Sequence, residues 1–263
     1  MQTQLDGKTA LVLGGSKGLG LGVAEALSAR GAATLLVGRD EKALRDACER
    51  IESRGEGACA TFAADLASEA GVETLLSHLE TSAPAIDILL LNGGGPPPFA
   101  ASSFEPLIWR QQFDSMFLNQ IRIANWCLPG MRRRKWGRIL AVASTSVREP
   151  IPGLTASNAL RAAMAGWAKT LADEVAADGV TVNLLLPGSF ETDRTKRLDA
   201  MDAAARGVDP AVIKAQSEAE IPIQRYGTPA EFGAVAAFLA SDEAAYVTGI
   251  ALPIDGGSSR GMI

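Results

Sequence analysis

The chain has 263 residues, of which 47% are hydrophobic and 21% are charged, and its formal net charge is -5. This composition is typical of a globular protein and argues against long disordered stretches. The net negative charge, with a single short basic run at 132–135, disfavours nucleic acid as a partner because phosphate binding needs a cationic face.

Short apolar runs alternate with longer stretches of helical period along the whole chain. This alternation predicts an α/β fold of the Rossmann type, with a doubly wound, seven-stranded parallel sheet between two layers of helices. The runs are rich in Val, Leu and Ile, as expected for strands that are covered on both faces. The predicted strands, in chain order, are 9–13, 34–37, 58–63, 86–91, 138–143, 180–186 and 250–254.

No Pro-rich or Ser-rich linker divides the chain, so we predict a single domain over residues 1–263. Two predicted helices, at about 106–134 and 155–177, are unusually long and are candidates for a subunit interface. The least regular region is 189–221, which contains charges, Gly207 and Pro210. Two interpretations of this region stay open: a lid over a substrate pocket, or an ordinary surface excursion.

A glycine-rich turn follows the first predicted strand directly and opens the next helix. Glycines let a backbone approach a pyrophosphate closely, and the amides at the helix N-terminus meet its negative charge. Such a turn alone is weak evidence, but its position within a strand–turn–helix–strand unit favours dinucleotide binding. From this turn we predict cofactor contacts by Gly14, Ser16, Lys17, Gly18, Leu19 and Gly20.

The spacing Gly-x-x-x-Gly-x-Gly resembles that of the short-chain dehydrogenase/reductase superfamily, and further matches follow in order. Asp65-Leu66 resembles the pair with which that family holds adenine, and Leu91-Asn92-Gly93-Gly94 resembles its Asn-Asn-Ala-Gly turn. Pro187-Gly188, followed by Thr192, resembles the segment over the nicotinamide. The resemblance covers essentially the whole chain and points to the 3-oxoacyl-acyl-carrier-protein reductase branch. It implies further cofactor contacts by Asp65, Leu66, Asn92, Gly93, Pro187, Gly188 and Thr192.

The charge at the end of the second strand bears on the choice of nicotinamide cofactor. An acidic residue there binds the ribose 2′-hydroxyl of NAD, whereas a cation accepts the 2′-phosphate of NADP. Alignment with the family puts Gly38 at the acidic position, and Arg39 follows it. Arg39 and the nearby Lys17 favour NADP, although either could be a solvated surface charge. Asp40 lies close enough to keep NAD as the less favoured alternative.

Relatives with this fold reduce carbonyls or oxidise alcohols with an Asn, a Ser and a Tyr-x-x-x-Lys pair. Carried over residue by residue, only Ser144 is kept, while Met116, Ser157 and Arg161 stand in place of Asn, Tyr and Lys. A serine hydroxyl is a far weaker acid than a phenol, and a guanidinium does not release its proton near neutral pH. The resemblance therefore implies a divergent active site with Ser144, Ser157 and Arg161 as its catalytic candidates.

Three functions stay open at this point. The first is an NADP-dependent oxidoreductase, in which Ser144 polarises a carbonyl and Arg161 stabilises an oxyanion or binds a substrate carboxylate. The second is a catalytically silent nucleotide-binding module or partner subunit. The third is a lyase or isomerase that acts on an acidic substrate. Arg161 could also simply bond the ribose hydroxyls, as the family lysine would.

The resemblance also implies a homotetramer or homodimer in which the two long helices pack against symmetry mates. The substrate is expected to be a small molecule in a pocket lined by 189–221 and the Pro96-Pro97-Pro98-Phe99 turn. No stretch approaches the roughly 20 apolar residues that span a bilayer, and residues 1–8 lack an apolar signal core. We therefore expect a cytoplasmic protein without a membrane segment. The three cysteines show no CxxC spacing and there is one histidine, so we predict reduced thiols and no metal site.

Overall fold

A computed structural model of the chain describes residues 5–54, 57–82 and 85–261. These residues form one seven-stranded sheet in which every neighbouring pair is parallel, in the order β3-β2-β1-β4-β5-β6-β7. The predicted fold class is therefore confirmed. The ends of the predicted domain, 1–4 and 262–263, lie outside the described residues. The strands are β1 (Thr9–Leu13), β2 (Ala33–Gly38), β3 (Cys59–Ala63), β4 (Ile88–Leu91), β5 (Gly137–Val142), β6 (Val180–Pro187) and β7 (Ala251–Ile254).

Helices connect successive strands and lie on both faces of the sheet. Within the described part of the chain the α-helices are α1 (Gly18–Ser28), α2 (Glu41–Glu52), α3 (Glu69–Ser82), α4 (Pro106–Phe113), α5 (Asn119–Arg134), α6 (Thr155–Val175), α7 (Asp193–Arg206), α8 (Pro210–Glu220) and α9 (Pro229–Leu239). None of the helices in these ranges is both long enough and apolar enough to cross a bilayer.

Successive strand residues contribute to two separate hydrophobic cores, because side chains alternate between the faces of a sheet. Leu11 and Leu89 belong to the core beneath α3, α5 and α6. The next residues along, Val12 and Leu90, belong to the core beneath α1, α2 and α9, which contains the fully buried Phe232. The molecule therefore has three layers, with one core on each side of the sheet.

The predicted strand bounds agree with the structure to within one residue, except that β4 begins two residues late, at Ile88. The expectation that every strand is buried on both faces is wrong for the two outer strands. Neither β3 nor β7 contains a buried residue. All four residues of β7 are partly buried, and those of β3 are partly buried or exposed. Both lie at an edge of the sheet, where each has a strand on one side only.

The region 189–221 is regular, contrary to the prediction, because α7 and α8 occupy most of it. α7 buries only Ala203 and α8 only Ile213, so neither helix shows an apolar stripe in its sequence. Their ends nevertheless carry helix signals that can be read locally. Asp209 caps α8 by accepting a hydrogen bond from the Ala211 amide at 2.7 Å, and Pro210 follows at the first helical position.

The strand order reverses between β1 and β4, which are neighbours in the sheet although two strands separate them in the chain. At such a point the crossovers leave in opposite directions, and a crevice opens beyond the carboxyl ends of the strands. The turns after β1, β4, β5 and β6 all leave this edge, since the register pairs the ends of these strands. The predicted site residues lie on these turns.

Candidate active site

The turn between β1 and α1 has a backbone that only glycines can adopt without strain. Gly14 and Gly18 have φ angles of +64° and +57°, in the left-handed region. A Cβ at Gly20 would lie 2.1 Å from the Gly14 carbonyl oxygen, so the start of α1 packs directly on the turn. No side chain caps α1 and no acidic residue lies in its first turn. Its terminal amides and positive dipole end are therefore available to an anion.

Asn92 supports this turn from the neighbouring strand. Its side-chain amide Nδ2 donates a hydrogen bond to the Leu13 carbonyl at 3.1 Å, and it also lies 3.5 Å from the Gly14 carbonyl oxygen. The predicted direct contact of Asn92 with the cofactor remains a prediction. What the geometry provides is a link between the turn after β4 and the turn after β1, which fixes the shape of the phosphate-binding backbone.

The two cations that favour NADP lie at the end of β2 and on the glycine-rich turn. Arg39 and Lys17 are exposed, and neither forms an ion pair with a residue in the described ranges. Ser16 lies beside them, since a Cβ at Gly38 would be 3.6 Å from the Ser16 hydroxyl oxygen. Asp40 is engaged elsewhere: it caps α2 by accepting a hydrogen bond from the Ala43 amide at 3.0 Å. The local charge is therefore suited to a phosphate.

Asp65 and Leu66, the predicted adenine contacts, form the turn that follows β3. The Asp65 carboxylate accepts a hydrogen bond from the Ala67 amide at 3.2 Å, which shapes the turn itself. The Leu66 carbonyl accepts one from the buried Asn119 side chain at 2.9 Å, so α5 holds the turn in place. Both residues therefore lie on a fixed turn at the correct edge of the sheet, and their contact with adenine stays a prediction.

The segment after β6 closes the crevice from the other side. The Gly188 amide donates to the Ile254 carbonyl at 3.0 Å, and a Cβ at Gly188 would lie 2.7 Å from the Asp255 Cβ. Pro187 ends the strand, and Thr192 caps α7. The Thr192 methyl group reaches the glycine-rich turn, where a Cβ at Gly18 would be only 3.5 Å away. The tertiary structure thus brings Thr192 next to the start of α1.

Ser157 and Arg161 lie one turn apart on α6 and are joined to each other. The Arg161 Nε donates to the Ser157 hydroxyl at 3.2 Å, and its Nη1 donates to the Val142 carbonyl at 2.8 Å, at the end of β5. Ser157 is buried. The guanidinium is therefore held rigidly where the family lysine would stand.

Ser144 follows β5 and has a different partner. Its hydroxyl accepts a hydrogen bond from the Ser146 amide at 3.1 Å and thereby caps the short helical turn Thr145–Val147. Because this hydroxyl is accepting, its proton remains free to be donated to a substrate oxygen. The start of α6 is tied to the proline-rich turn, since the Thr155 hydroxyl donates to the Phe99 carbonyl at 3.0 Å.

Met116, at the position of the family asparagine, lies in a π-helical segment, Asp114–Leu118, that joins α4 to α5. Sequence periodicity predicts one uninterrupted helix over 106–134, so this segment was missed. The Met116 side chain in this segment is buried, with only 6% of its surface exposed. Single π turns within helices are frequent at functional sites. One helical turn further along, the buried Gln120 places its amide nitrogen against Gly93, 3.0 Å from where a Cβ would stand.

Arg194 is a second arginine at this edge that the sequence analysis did not single out. It lies at the start of α7, two residues after Thr192, and packs on the turn after β4. Burial and, secondly, the positive charge of Arg194 lower the pKa of Arg161 to about 10. Burial likewise lowers the pKa of Arg194, with a further contribution from Arg197. Both guanidinium groups stay protonated at neutral pH, so this edge of the sheet carries two positive charges.

The remaining residues with acid–base chemistry are engaged elsewhere. The Tyr226 hydroxyl donates to the Asp199 carboxylate at 3.2 Å, and Tyr246 is fully exposed. His78 stacks on Phe62, with ring centroids 4.3 Å apart. The described site therefore contains no tyrosine or histidine that replaces the missing phenol.

These features define a dinucleotide-binding protein of the Rossmann type. A family model described as enoyl-(acyl carrier protein) reductase matches residues 14–259. A 3-oxoacyl-[acyl-carrier-protein] reductase from Vibrio cholerae is 32% identical over 253 residues, which is 96% of this chain and 98% of the relative. The chain therefore belongs to the short-chain dehydrogenase/reductase family, as the sequence motifs predicted.

Relatives with other substrates match equally broadly. A 2,3-dihydroxy-2,3-dihydro-p-cumate dehydrogenase from Pseudomonas putida is 33% identical over 261 residues, 97% of this chain and 95% of the relative. The crystal structure of L-sorbose reductase from Gluconobacter frateurii, complexed with NADPH and L-sorbose, matches with a TM-score of 0.93 and 28% identity, and each chain is covered fully. An actinorhodin polyketide ketoreductase with NADPH matches at a TM-score of 0.90 and 28% identity, over 99% of this chain and 100% of that one. The family thus spans several substrate classes.

Proposed function

We propose that this protein is an NADP(H)-dependent oxidoreductase that interconverts a carbonyl and an alcohol on a small molecule. The observation that carries the proposal is the glycine-rich turn. There the start of α1 has no side-chain cap, and the exposed cations Lys17 and Arg39 lie nearby. The similar reductases whose structures contain NADPH support the same cofactor. An NAD-dependent enzyme is less favoured, because the nearest carboxylate, Asp40, is committed to capping α2.

The residues present fit NADP at each part of the molecule. The amides of Leu19 and Gly20 would receive the pyrophosphate, and Arg39 with Lys17 would receive the 2′-phosphate. Asp65 and Leu66 would bound the adenine. Gly93, together with the segment that contains Pro187, Gly188 and Thr192, would enclose the nicotinamide. Arg161 stands where the family lysine bonds the ribose, and its Nε and Nη1 are already bonded to the Ser157 hydroxyl and the Val142 carbonyl.

A bound NADPH would supply the hydride for the carbonyl carbon, and solvent water would supply the proton for the oxygen. Ser144 would donate a hydrogen bond to the carbonyl oxygen. The positive charge of Arg161 nearby would favour the negative charge that develops on this oxygen, and the Ser157 hydroxyl holds the Arg161 Nε in place. Neither residue serves as the acid, because the hydroxyl of serine is too weak an acid and the guanidinium holds its proton.

The direct test follows NADPH binding by fluorescence and then the absorbance of the reduced nicotinamide with ketones, quinones and acyl thioesters. Binding with loss of absorbance supports the proposal. Binding without turnover on any substrate favours the silent module or partner subunit. Consumption of substrate without a change in nicotinamide redox state favours the lyase or isomerase. Failure to bind either NADP or NAD would overturn all three.

A gain-of-function variant separates the pocket from its chemistry. Ser157→Tyr, Arg161→Lys and Met116→Asn together restore the family set around Ser144. General acid catalysis contributes about 10²- to 10⁴-fold, so reduction of a simple ketone should rise by at least about 100-fold. A folded triple variant that binds NADPH and gains no activity would show that the pocket, and not only its catalytic residues, has diverged.

Assembly into a homotetramer or homodimer is part of the proposal. α6 presents Ala159, Ala162 and Ala163 on its exposed side, and such small residues permit close approach of a symmetry-related helix. Sedimentation velocity should give a species larger than the monomer, and Ala163→Glu should shift it towards the monomer. A monomeric wild-type protein would contradict this prediction.

Location in the cytoplasm is likewise a prediction, and cell fractionation would check it.

A further inference from the structure

Arg194 joins two turns of the candidate site that are distant in sequence. It belongs to the start of α7, yet a Cβ built on Gly95 would lie 2.5 Å from both of its terminal nitrogens, Nη1 and Nη2. The guanidinium therefore lies directly on the turn after β4. This turn leaves β4 beside the end of β5, where Leu91 pairs with Ala141 and where the Val142 carbonyl holds Arg161. The charge of Arg194 also lowers the pKa of Arg161, in keeping with that placement.

The two arginines have no internal counter-charge. Arg161 uses Nε and Nη1 for the Ser157 hydroxyl and the Val142 carbonyl, neither of which is an anion. Arg194 makes no hydrogen bond or ion pair with a residue in the described ranges, and the charge that acts on it is that of Arg197. Burial of an unpaired cation is costly, so such a pair indicates a partner that comes from outside.

Two other buried or partly buried arginines of this chain each have a carboxylate partner, as a structural role requires. Arg138, which is 2% exposed, pairs with Asp242 at 3.0 Å. Arg134 pairs with Asp87 at 3.0 Å and donates to the Ile86 carbonyl. In both cases a carboxylate offsets the desolvation of the guanidinium. Arg161 and Arg194 are also partly buried, but neither forms an ion pair with a carboxylate in the part of the chain that the structure describes.

We propose that Arg161 and Arg194 together bind the carboxylate of an anionic substrate, an oxo acid in the reductive direction and the corresponding hydroxy acid in the oxidative one. The inference rests on the proposed oxidoreductase function and names its substrate class. A carboxylate offers two oxygens in one plane, which matches the paired N–H groups of guanidinium. The carboxylate itself is unchanged in the reaction: the hydride reaches the oxo carbon and a water proton reaches its oxygen.

A second source of the same anionic chemistry is the pyrophosphate of the cofactor. The structure favours the substrate, because the pyrophosphate already has the start of α1, whereas Arg161 is bonded to Ser157 at the reaction centre. Under this assignment the carboxylate holds one end of the substrate and leaves Ser144 for the carbonyl oxygen. If Arg194 binds the pyrophosphate, its loss should weaken NADPH binding; if it binds the substrate, NADPH affinity should not change, so one set of variants distinguishes the two.

The test compares acids with their methyl esters, which have the same carbonyl but no charge: acetoacetate, levulinate and pyruvate, each with its methyl ester. We expect wild-type kcat/KM to favour the acid by at least about tenfold for a member of the panel. Arg194→Gln should remove this preference by raising KM for the acid, while the NADPH dissociation constant stays within about twofold. Arg197→Gln, the matched control, removes an exposed charge of the same helix and should keep the preference.

Gly95→Ala gives a second, independent variant, since its methyl group would displace the Arg194 guanidinium without removing the charge. It should also reduce the acid preference. Equal rates with acids and esters in the wild type, or a loss of NADPH affinity in Arg194→Gln with the acid preference intact, would overturn the inference. If no member of the panel turns over, calorimetry on the NADPH complex decides: acid binding that Arg194→Gln removes supports it, and no acid binding overturns it. Failure of NADPH to bind would instead overturn the proposed function itself.

Discussion

The two halves of the candidate site are built in different ways. In the cofactor half, backbone shape and helix dipoles do the binding, and glycines hold the chain segments within van der Waals contact of each other. In the proposed reaction half, the candidate catalytic side chains follow β5 or lie on α6. Side chains that face a pocket can be exchanged without disturbing the core, whereas the glycines of the turn cannot. Under the proposed function, this difference explains how a cofactor site can be kept beside an altered catalytic set.

The largest effect is expected from breaking the backbone contact in the cofactor half. Gly20→Val would place a side chain where the Gly14 carbonyl oxygen is only 2.1 Å from the Cβ position. The turn must then open, and NADPH binding should weaken by at least about 100-fold, or about 2.8 kcal/mol. Fluorescence titration measures it, with circular dichroism to verify folding. Gly166→Ala is the control: no atom lies within 4 Å of its Cβ position, and affinity should not change.

A smaller effect should follow from the charge that distinguishes the two nicotinamide cofactors. Arg39→Ala removes an exposed cation that has no partner within the described residues, so the fold should be unaffected. NADPH affinity should fall by about tenfold and NADH affinity should stay the same, because only NADPH carries the 2′-phosphate. Lys42→Ala, on α2, is the control for loss of an exposed charge. Equal losses for both cofactors would argue against a 2′-phosphate contact at Arg39.

The support that β4 gives to the turn can be tested next. Asn92→Leu leaves the Leu13 carbonyl without its 3.1 Å hydrogen bond, and an unsatisfied buried group costs about 1–3 kcal/mol of stability. NADPH affinity should fall by about fivefold, which is less than for Gly20→Val because the turn is loosened but not blocked. Denaturant unfolding and titration measure the two effects. Asn125→Leu, an exposed position on α5, should change neither.

The smallest effect concerns the pH dependence of the reaction half. Burial lowers the pKa of Arg161 to about 10, so its charge persists through neutral pH and wild-type activity on an oxo acid should be flat there. In Arg161→Lys the same burial lowers the pKa of the new lysine from its usual value of about 10.4. The cation binds the acid, so binding is present below that pKa and is lost as pH rises through it. KM should rise by about threefold towards about pH 9 in the variant only. A rise of the same size in the wild type would contradict this.

The fold could be predicted almost completely, and the glycine-rich turn with it. Strand, turn and helix follow one another within a few consecutive residues there, so the signal is local. The pairing of Ser157 with Arg161 follows from their spacing of one helical turn. α7 and α8 were missed because they bury almost nothing, although Thr192, Asp209 and Gly207 carry their start and stop signals. The π-helical segment at Met116 leaves no comparable trace in the residue pattern.

The sequence by itself determined the parallel sheet, the family and the replacement of the catalytic residues, because each depends on residue type at positions linked by short spacing. Only the tertiary structure decided which side chains meet across the crevice: Asn92 with the turn after β1, Asn119 with the Leu66 carbonyl, and Arg194 with Gly95 near Arg161. These contacts join segments that lie far apart in the chain and are brought together by the crossover helices and the sheet register. No local pattern specifies them, and it is through them that Arg161 and Arg194 come to lie at the same edge of the sheet.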